Sequence, residues 1–286
     1  MKIIRTTAEM QAFSNAQREA QKHIAFVPTM GYFHDGHLEL MRAGKRCADI
    51  LVISIFVNPT QFSPNEDLQA YPRDFDRDCT LAQEVGVDVV FAPENDAMYP
   101  NGFQTFVAVE KLTQNLCGRY RPQHFRGVTT VCAKLFNIIK PHTVIFGKKD
   151  YQQLAAISRM LTDLNMDIEL VGMPIVREAN GLAMSSRNTY LNATERKSAL
   201  ALSHSLREAR SFFLRGENNA QECIMLVRSI IDGYSHTAID YIQICETKNF
   251  TDIATITQGS LLALAVKVGK TRLIDNYVFG EELNLP

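Results

Sequence analysis

Between residues 23 and 176, short apolar runs rich in Ile and Val alternate with stretches whose apolar residues recur at helical spacing. That alternation is what a parallel sheet with helices on both faces requires. Residues 48–58 make the strongest case, because an almost unbroken apolar run suits a strand buried on both sides. Further strands are expected at 23–27, 87–93, 143–146 and 168–176. Between them, helices are expected up to residue 20, from 37 onward, and over 75–85, 128–139 and 151–164. Thr6-Thr7-Ala8-Glu9 reads as a capping box for the first of these, and Gly86 as the stop of the 75–85 helix. Residues 103–109 alternate only weakly, and 117–122 read as loop.

Beyond residue 176 the pattern changes. A polar, irregular segment to about residue 192 precedes two helices, 194–215 and 219–232. Strands follow at 239–245, 261–268 and 271–278, the last two around a hairpin at Gly269-Lys270. The expected fold class is therefore α/β, a Rossmann-like doubly wound parallel sheet over residues 1–176. A second, smaller α+β domain is expected over 177–286.

Composition narrows the function classes. Hydrophobic residues make up 46% of the chain, ample for a core, and the net charge of −1 gives no electrostatic case for nucleic acid or an anionic membrane. No apolar run reaches membrane-spanning length, and residues 1–5 lack the apolar run of a secretory signal. Cysteines 47, 79, 117, 132, 223 and 245 are scattered with no C-x-x-C, so neither a disulfide framework nor a zinc site is expected. A reducing cytoplasm is the expected location.

The chemistry concentrates at Pro28-Thr29-Met30-Gly31-Tyr32-Phe33-His34-Asp35-Gly36-His37, where a strand should turn into a helix. Turn N–H groups and a helix start suit a phosphate, and two imidazoles three residues apart add donors to the same anion. Either histidine alone is most often a surface or core residue. The pair at a strand-to-helix turn resembles the HIGH motif of the nucleotidyltransferase superfamily. Other segments expected past strand ends are Asn58 to Gln61, Gly147 to Gln153 and Met184 to Arg187. Alone, each has a bland reading as turn, surface pair or cap. Together they supply phosphate-binding groups (Lys149, Ser186, Arg187) beside uncharged amides (Gln61, Gln153). No P-loop, G-x-G-x-x-G or G-x-S-x-G is present.

Taken in order, the motifs resemble the pantoate–β-alanine ligase family. They are Pro28-Thr29-Met30-Gly31 through His34 and His37, Phe56-Val57-Asn58-Pro59 with Gln61-Phe62, Tyr71-Pro72-Arg73, and His124-Phe125-Arg126-Gly127-Val128. Phe146-Gly147 with Lys149-Asp150, Gln152-Gln153, Met184-Ser185-Ser186-Arg187-Asn188 and Arg272-Leu273-Ile274-Asp275-Asn276 complete the set. Two residues depart from the family pattern: Thr60 stands for the usual Met, and Lys148 for the usual Glu of a G-E-K-D turn.

The resemblance implies an ATP-dependent amide synthesis from pantoate and β-alanine through a pantoyl adenylate, releasing pyrophosphate and then AMP. It implies catalytic roles for His34, His37 and Lys149. An ATP site would comprise Met30, Gly31, Tyr32, Phe33, His34, Asp35, Gly36, His37, Gly147, Lys148, Lys149, Asp150, Val176, Met184, Ser185, Ser186 and Arg187. Asn58, Gln61 and Gln153 would hold pantoate or β-alanine. Mg²⁺ would bridge phosphate oxygens, with Asp78 a weak candidate for its anchor. A homodimer is implied, with the smaller domain as lid and dimer element. Another nucleotidyltransferase, making a dinucleotide or a CDP-alcohol, is the alternative enzyme; a regulatory nucleotide-binding module is the alternative class. Of the two lysines, Lys149 is expected to face phosphate and Lys148 to lean toward solvent or a neighbouring loop.

Overall fold

Six short strands form one parallel sheet. They are β1 (Lys2–Ile4), β2 (Ile24–Thr29), β3 (Ile50–Ile55), β4 (Val89–Phe91), β5 (Thr143–Gly147) and β6 (Glu169–Met173), in the order β1-β4-β3-β2-β5-β6. In this computed structural model residues 1–286 are described apart from Asn65, Asn284 and Pro286. The β2–β3 register runs from Ile24 opposite Ile50 to Thr29 opposite Ile55. From β2 the chain steps to β3 on one side, and β5 later pairs with β2 on the other. The direction of winding thus reverses at β2, and the crevice at such a reversal, past the carboxyl ends of the strands, is where open α/β sheets bind ligands.

The first unit comprises Met1–Glu110, Arg121–Lys148 and Ala156–Met173. Its helices include α1 (Thr7–Glu19), α2 (Asp35–Cys47), α3 (Phe75–Val85) and the short α4 (Asn95–Met98). The central strands β2, β3, β4 and β5 are buried on both faces, which is why they lack polar alternation, while β1 and β6 at the edges are more open. Ala25, Val27, Leu51 and Ile53 pack in one cluster with Leu38 and Met41 of α2 and Ala82 of α3. Phe26, pointing the other way, meets Phe136 edge-on at 6.3 Å. The Thr6 hydroxyl caps α1 by accepting the Glu9 N–H at 3.3 Å, and the Glu9 carboxylate pairs with Lys2 at 3.0 Å. Gly86 ends α3 with φ +88°, as its place in the sequence predicts.

Two local expectations need correction, and one open stretch is decided. Residues 117–122 are not simply loop, since α5 spans Leu116–Tyr120. His124 to Gly127 do not precede a helix but open it, as the first turn of α6 (His124–Ile139). The weakly alternating 103–109 forms no strand, because side chains of α6 satisfy its backbone: Val107 N–H donates to Thr130 Oγ1 at 3.0 Å and Val107 C=O accepts from Thr129 Oγ1 at 2.7 Å.

The second unit comprises Lys111–Tyr120, Lys149–Ala155 and Pro174–Pro286. Helices α8 (Ala193–Leu214) and α9 (Ala220–Asp232) bury Leu202, Leu206, Val227 and Ile231 with Leu262, Leu264 and Val266 of a three-stranded antiparallel sheet. Its strands, in spatial order, are β7 (Thr237–Cys245), β8 (Leu261–Val268) and β9 (Thr271–Val278). The two smaller segments are stitched to the third: Tyr120 O–H donates to Asp240 C=O in β7 at 2.6 Å and Asn115 Nδ2 to Phe250 C=O beyond β7 at 3.1 Å, while Asn276 Nδ2 of β9 donates to the Lys149 carbonyl at 2.8 Å. The helix α7 (Tyr151–Asp163) begins in the second of these segments.

At the amino end of β2 a histidine replaces a strand partner. His142 Nδ1 accepts the Ile24 N–H at 3.0 Å, and its ring stacks on His23 at 4.6 Å. Burial first, then the neighbouring Arg18 and His23, hold the His142 pKa below its ordinary value, with Asp167 opposing them. The unfolded chain therefore takes up this proton first. Stability should begin to fall as pH drops through about 6.5 and continue falling to the folded pKa. His142→Asn keeps an acceptor that does not titrate. Its urea midpoint is expected to lose less than the wild type between pH 7.5 and 5.5, and equal losses would remove His142 from the acid response.

Candidate active site

The turn after β2 is built by a buried carboxylate. Gly31 and Tyr32 both have positive φ, +84° and +54°. Glycine is required at 31 on two counts, since an added Cβ would also lie 2.9 Å from Asp78 Oδ2. Asp78, 1% exposed, accepts the Tyr32 N–H at 2.6 Å and the Phe33 N–H at 2.7 Å. Gly31 N–H goes to Thr29 Oγ1 at 3.2 Å, and His34 N–H to His37 Nδ1 at 3.4 Å. The N–H groups of residues 31–34 are thus used inside the protein, which corrects the expectation that they hold phosphate. The first N–H groups of α2, at Asp35 and Gly36, are those a helix cannot satisfy itself. Asp78 is equally unsuited to anchor Mg²⁺, because its two oxygens hold this turn. Burial pushes the Asp78 carboxyl up against the pull of those two amides.

His34 and His37 come together at a ring separation of 4.0 Å. With Nδ1 of His37 accepting, its proton sits on Nε2, so the ring offers an N–H donor. Phe33, 1% exposed, anchors the turn in the core and touches the His37 ring at 5.6 Å.

The second strand-end segment of this unit follows β3. Asn58, 1% exposed, caps a single 3₁₀ turn, Pro59–Gln61. That turn lies directly on α6, where Gly127 makes room: a Cβ there would run into the Thr60 carbonyl and come 2.6 Å from the Gln61 nitrogen. Arg121 Nη2 donates to the Gln61 carbonyl at 3.2 Å, and His124 Nδ1 lies 3.0 Å from the same oxygen. Arg121 also forks onto Glu66 at 2.7 and 2.6 Å. Burial opposes the Glu66 charge, yet the guanidinium prevails and holds its pKa below the usual carboxylate range. Gly127→Ala is expected to cost about 1–3 kcal/mol by overpacking. Gly147→Ala, whose Cβ would meet nothing within 4 Å, should cost little. Equal urea midpoints for the two variants would mean that the 3₁₀ turn yields freely.

In the second unit the lysine turn and the Ser-Ser-Arg loop are each held by named partners. Asn276 Nδ2 donates to the Lys149 carbonyl at 2.8 Å. Beside it, Asp275 forms a buried ion pair with Arg177 at 2.7 and 3.0 Å, the side chains only 1% and 3% exposed. Gln152 accepts the Cys117 N–H at 2.9 Å and donates to the Asn115 carbonyl at 2.7 Å, so of the two glutamines it is the structural one. Gln153, Lys148 and Lys149 are half-buried and Asp150 is exposed, so exposure does not distinguish the lysines as expected. The segment expected to be irregular closes on itself instead. Met184 N–H bonds the Val176 carbonyl at 3.0 Å, and Glu178 N–H bonds the Leu182 carbonyl at 2.8 Å, bringing the candidates Val176 and Met184 together. Ser185 caps the 3₁₀ turn Ser186–Tyr190, taking the Arg187 N–H at 3.3 Å. The bland capping role thus belongs to Ser185, and Ser186 is buried beside it.

A family model described as pantoate-beta-alanine ligase matches residues 2–278. The chain belongs to the pantoate–β-alanine ligase family. It is 60% identical over 285 residues to a pantothenate synthetase of Syntrophus aciditrophicus, covering 100% of both chains. The crystal structure of a pantothenate synthetase from Thermus thermophilus is 41% identical, with a TM-score of 0.92 over 97% of this chain and 99% of that one. A Francisella tularensis pantoate–β-alanine ligase, solved with beta-gamma ATP and beta-alanine, is 32% identical, with a TM-score of 0.83 over 99% of this chain and 100% of that one.

As a ligase of this family the chain keeps every quoted motif except at Thr60 and Lys148. Thr60 makes new bonds of its own: its hydroxyl reaches Asn58 Oδ1 at 2.9 Å and the Tyr99 hydroxyl at 3.2 Å. Sequence reasoning missed Tyr99, Arg121 and the link from Asn276 to Lys149. A tyrosine before a proline carries no periodic signal, and the other contacts span 60 and 127 residues.

Proposed function

We propose that this chain joins pantoate to β-alanine at the expense of ATP, through a pantoyl-adenylate intermediate. A carboxylate oxygen of pantoate attacks the α-phosphorus of ATP, and the bond to the bridging oxygen breaks to release pyrophosphate. The β-alanine nitrogen then attacks the acyl carbon, the acyl–oxygen bond to AMP breaks, and the amine gives up its proton. The observation that carries this reading is the preorganised histidine pair at the start of α2, beside the winding reversal at β2. Donors fixed before the reaction stabilise charge as it develops on phosphate.

In this reading His34, His37, Lys149, Ser186 and Arg187 bear on the phosphates, and the other expected residues of the ATP set complete that site. Gln61 and Gln153 hold pantoate and β-alanine without a repelling charge, and Asn58, buried with both ends of its amide hydrogen-bonded within the protein, holds Gln61 rather than a substrate. Among the described residues no group of three or more His, Cys, Asp or Glu is placed to hold a metal ion. Mg²⁺ would enter with ATP as part of the substrate and offset phosphate charge. The chain would act as a homodimer in the cytoplasm. No helix among the described residues is long and apolar enough to cross a membrane. The six cysteines are free, and burial pushes the thiols of Cys132, Cys223 and Cys245 up to about 12.

Purified protein with ATP and pantoate should release pyrophosphate, with AMP and pantothenate accumulating once β-alanine is added. Pyrophosphate release that ignores pantoate would overturn the proposal, and sedimentation would test the dimer.

A further inference from the structure

Asn58 lies at the centre of a network in which each end of its amide meets matching partners. Its Oδ1 accepts from the Tyr99 hydroxyl at 2.8 Å, the Thr60 hydroxyl at 2.9 Å and the Thr60 N–H at 3.4 Å. Its Nδ2 donates to the Gly127 carbonyl at 3.2 Å and to Gln61 Oε1 at 3.0 Å. Donors surround one end of the amide and acceptors the other, so it has one orientation. That orientation passes to Gln61. Its Oε1 is taken by Asn58, and among the described residues its Nε2 meets the Met30 sulfur at 3.3 Å, a weak acceptor. Gln61 therefore presents N–H, not C=O, to a ligand.

We infer that Tyr99 and Thr60 are positioning residues that set the hydrogen-bond polarity of Gln61, so that it donates to an oxygen of pantoate; this rests on the proposed assignment of Gln61 to pantoate. A flipped amide would turn its carbonyl toward a substrate carboxylate, which only accepts, exchanging an attraction for a repulsion. Two hydroxyls serve one acceptor atom, so each covers for the other. A methionine at position 60, the usual family residue, would leave Tyr99 as the only hydroxyl donor. In this chain the requirement for Tyr99 is relaxed by Thr60.

The test is a double-mutant cycle read as the KM for pantoate at saturating ATP. Tyr99→Phe and Thr60→Met should each raise it at most about threefold, and together about 30-fold or more. The KM for ATP should stay within about twofold throughout. In a Gln61→Ala background the same two substitutions should add nothing, which a general loss of packing would not reproduce. Thermal melts report folding, and Thr60→Val, close to threonine in shape, substitutes for Thr60→Met if the double variant does not fold. A double variant whose KM is the product of the single effects would overturn the shared lock while leaving Gln61 on pantoate. If Gln61→Ala alone left the pantoate KM unchanged, the assignment of Gln61 would itself fall, and the lock with it.

Discussion

Replacing His37 by alanine is expected to slow pyrophosphate release about 10²–10³-fold with a much smaller change in ATP affinity. Loss of one preorganised donor to developing charge typically costs about 2.7–4 kcal/mol. The donor is set in advance because His34 N–H occupies Nδ1 of His37 and so keeps the ring proton on Nε2. His34→Ala should act through the same place, removing one imidazole and the ring contact at 4.0 Å that steadies the other. The Tyr32 and Phe33 amides keep their acceptor in both variants, since Asp78 and not a histidine holds them, while His37→Ala removes the acceptor of the His34 N–H. Single-turnover adenylation with ATP and pantoate measures the effect directly. Near-normal rates in both variants would take the histidines out of phosphate chemistry.

Lys149→Ala should reduce turnover about 10²-fold or more, by the same loss of a preorganised charge. Lys148→Glu, which restores the usual family residue, should keep turnover within about threefold and weaken ATP binding at low salt. A distant charge is screened at high ionic strength, whereas one in contact with phosphate is much less so. Both lysines are half-buried, so burial does not separate them. Asn276 fixes the Lys149 carbonyl, and Asp275 next to it is locked in the buried pair with Arg177. Steady-state kinetics of both variants at two salt concentrations test this. A larger turnover loss for Lys148→Glu than for Lys149→Ala would reverse the roles of the two residues.

The parallel sheet was legible because its central strands are buried on both faces and its helices on one. The β8–β9 hairpin was legible for a different reason, a turn glycine at 269 between two β-prone runs. What sequence could not disclose were bonds that use generic groups at long range. Asp78 looks like any helical acid near an N-terminus, yet it closes a turn 45 residues earlier. The turn amides accordingly looked available when they were not. α5 and the first turn of α6 were missed because Pro122 separates them and Gly118 and Gly127 weaken local helix propensity. The glycine at 127 is there for the 3₁₀ turn it touches, a demand that local propensity cannot express.

The second unit draws on three separate stretches of chain, and that has a consequence for synthesis. Tyr120 waits for Asp240, 120 residues later, and Asn115 for Phe250, 135 residues later. Lys149 likewise gains its Asn276 partner only 127 residues downstream. A ribosome at residue 176 has already synthesised the strands of the parallel sheet, but these two early segments still lack the β strands that receive them. Contacts of such separation form late and slowly. The lysine turn is therefore among the last parts of the chain to be completed, and a nascent chain halted before residue 276 would carry its histidine pair without an anchored Lys149.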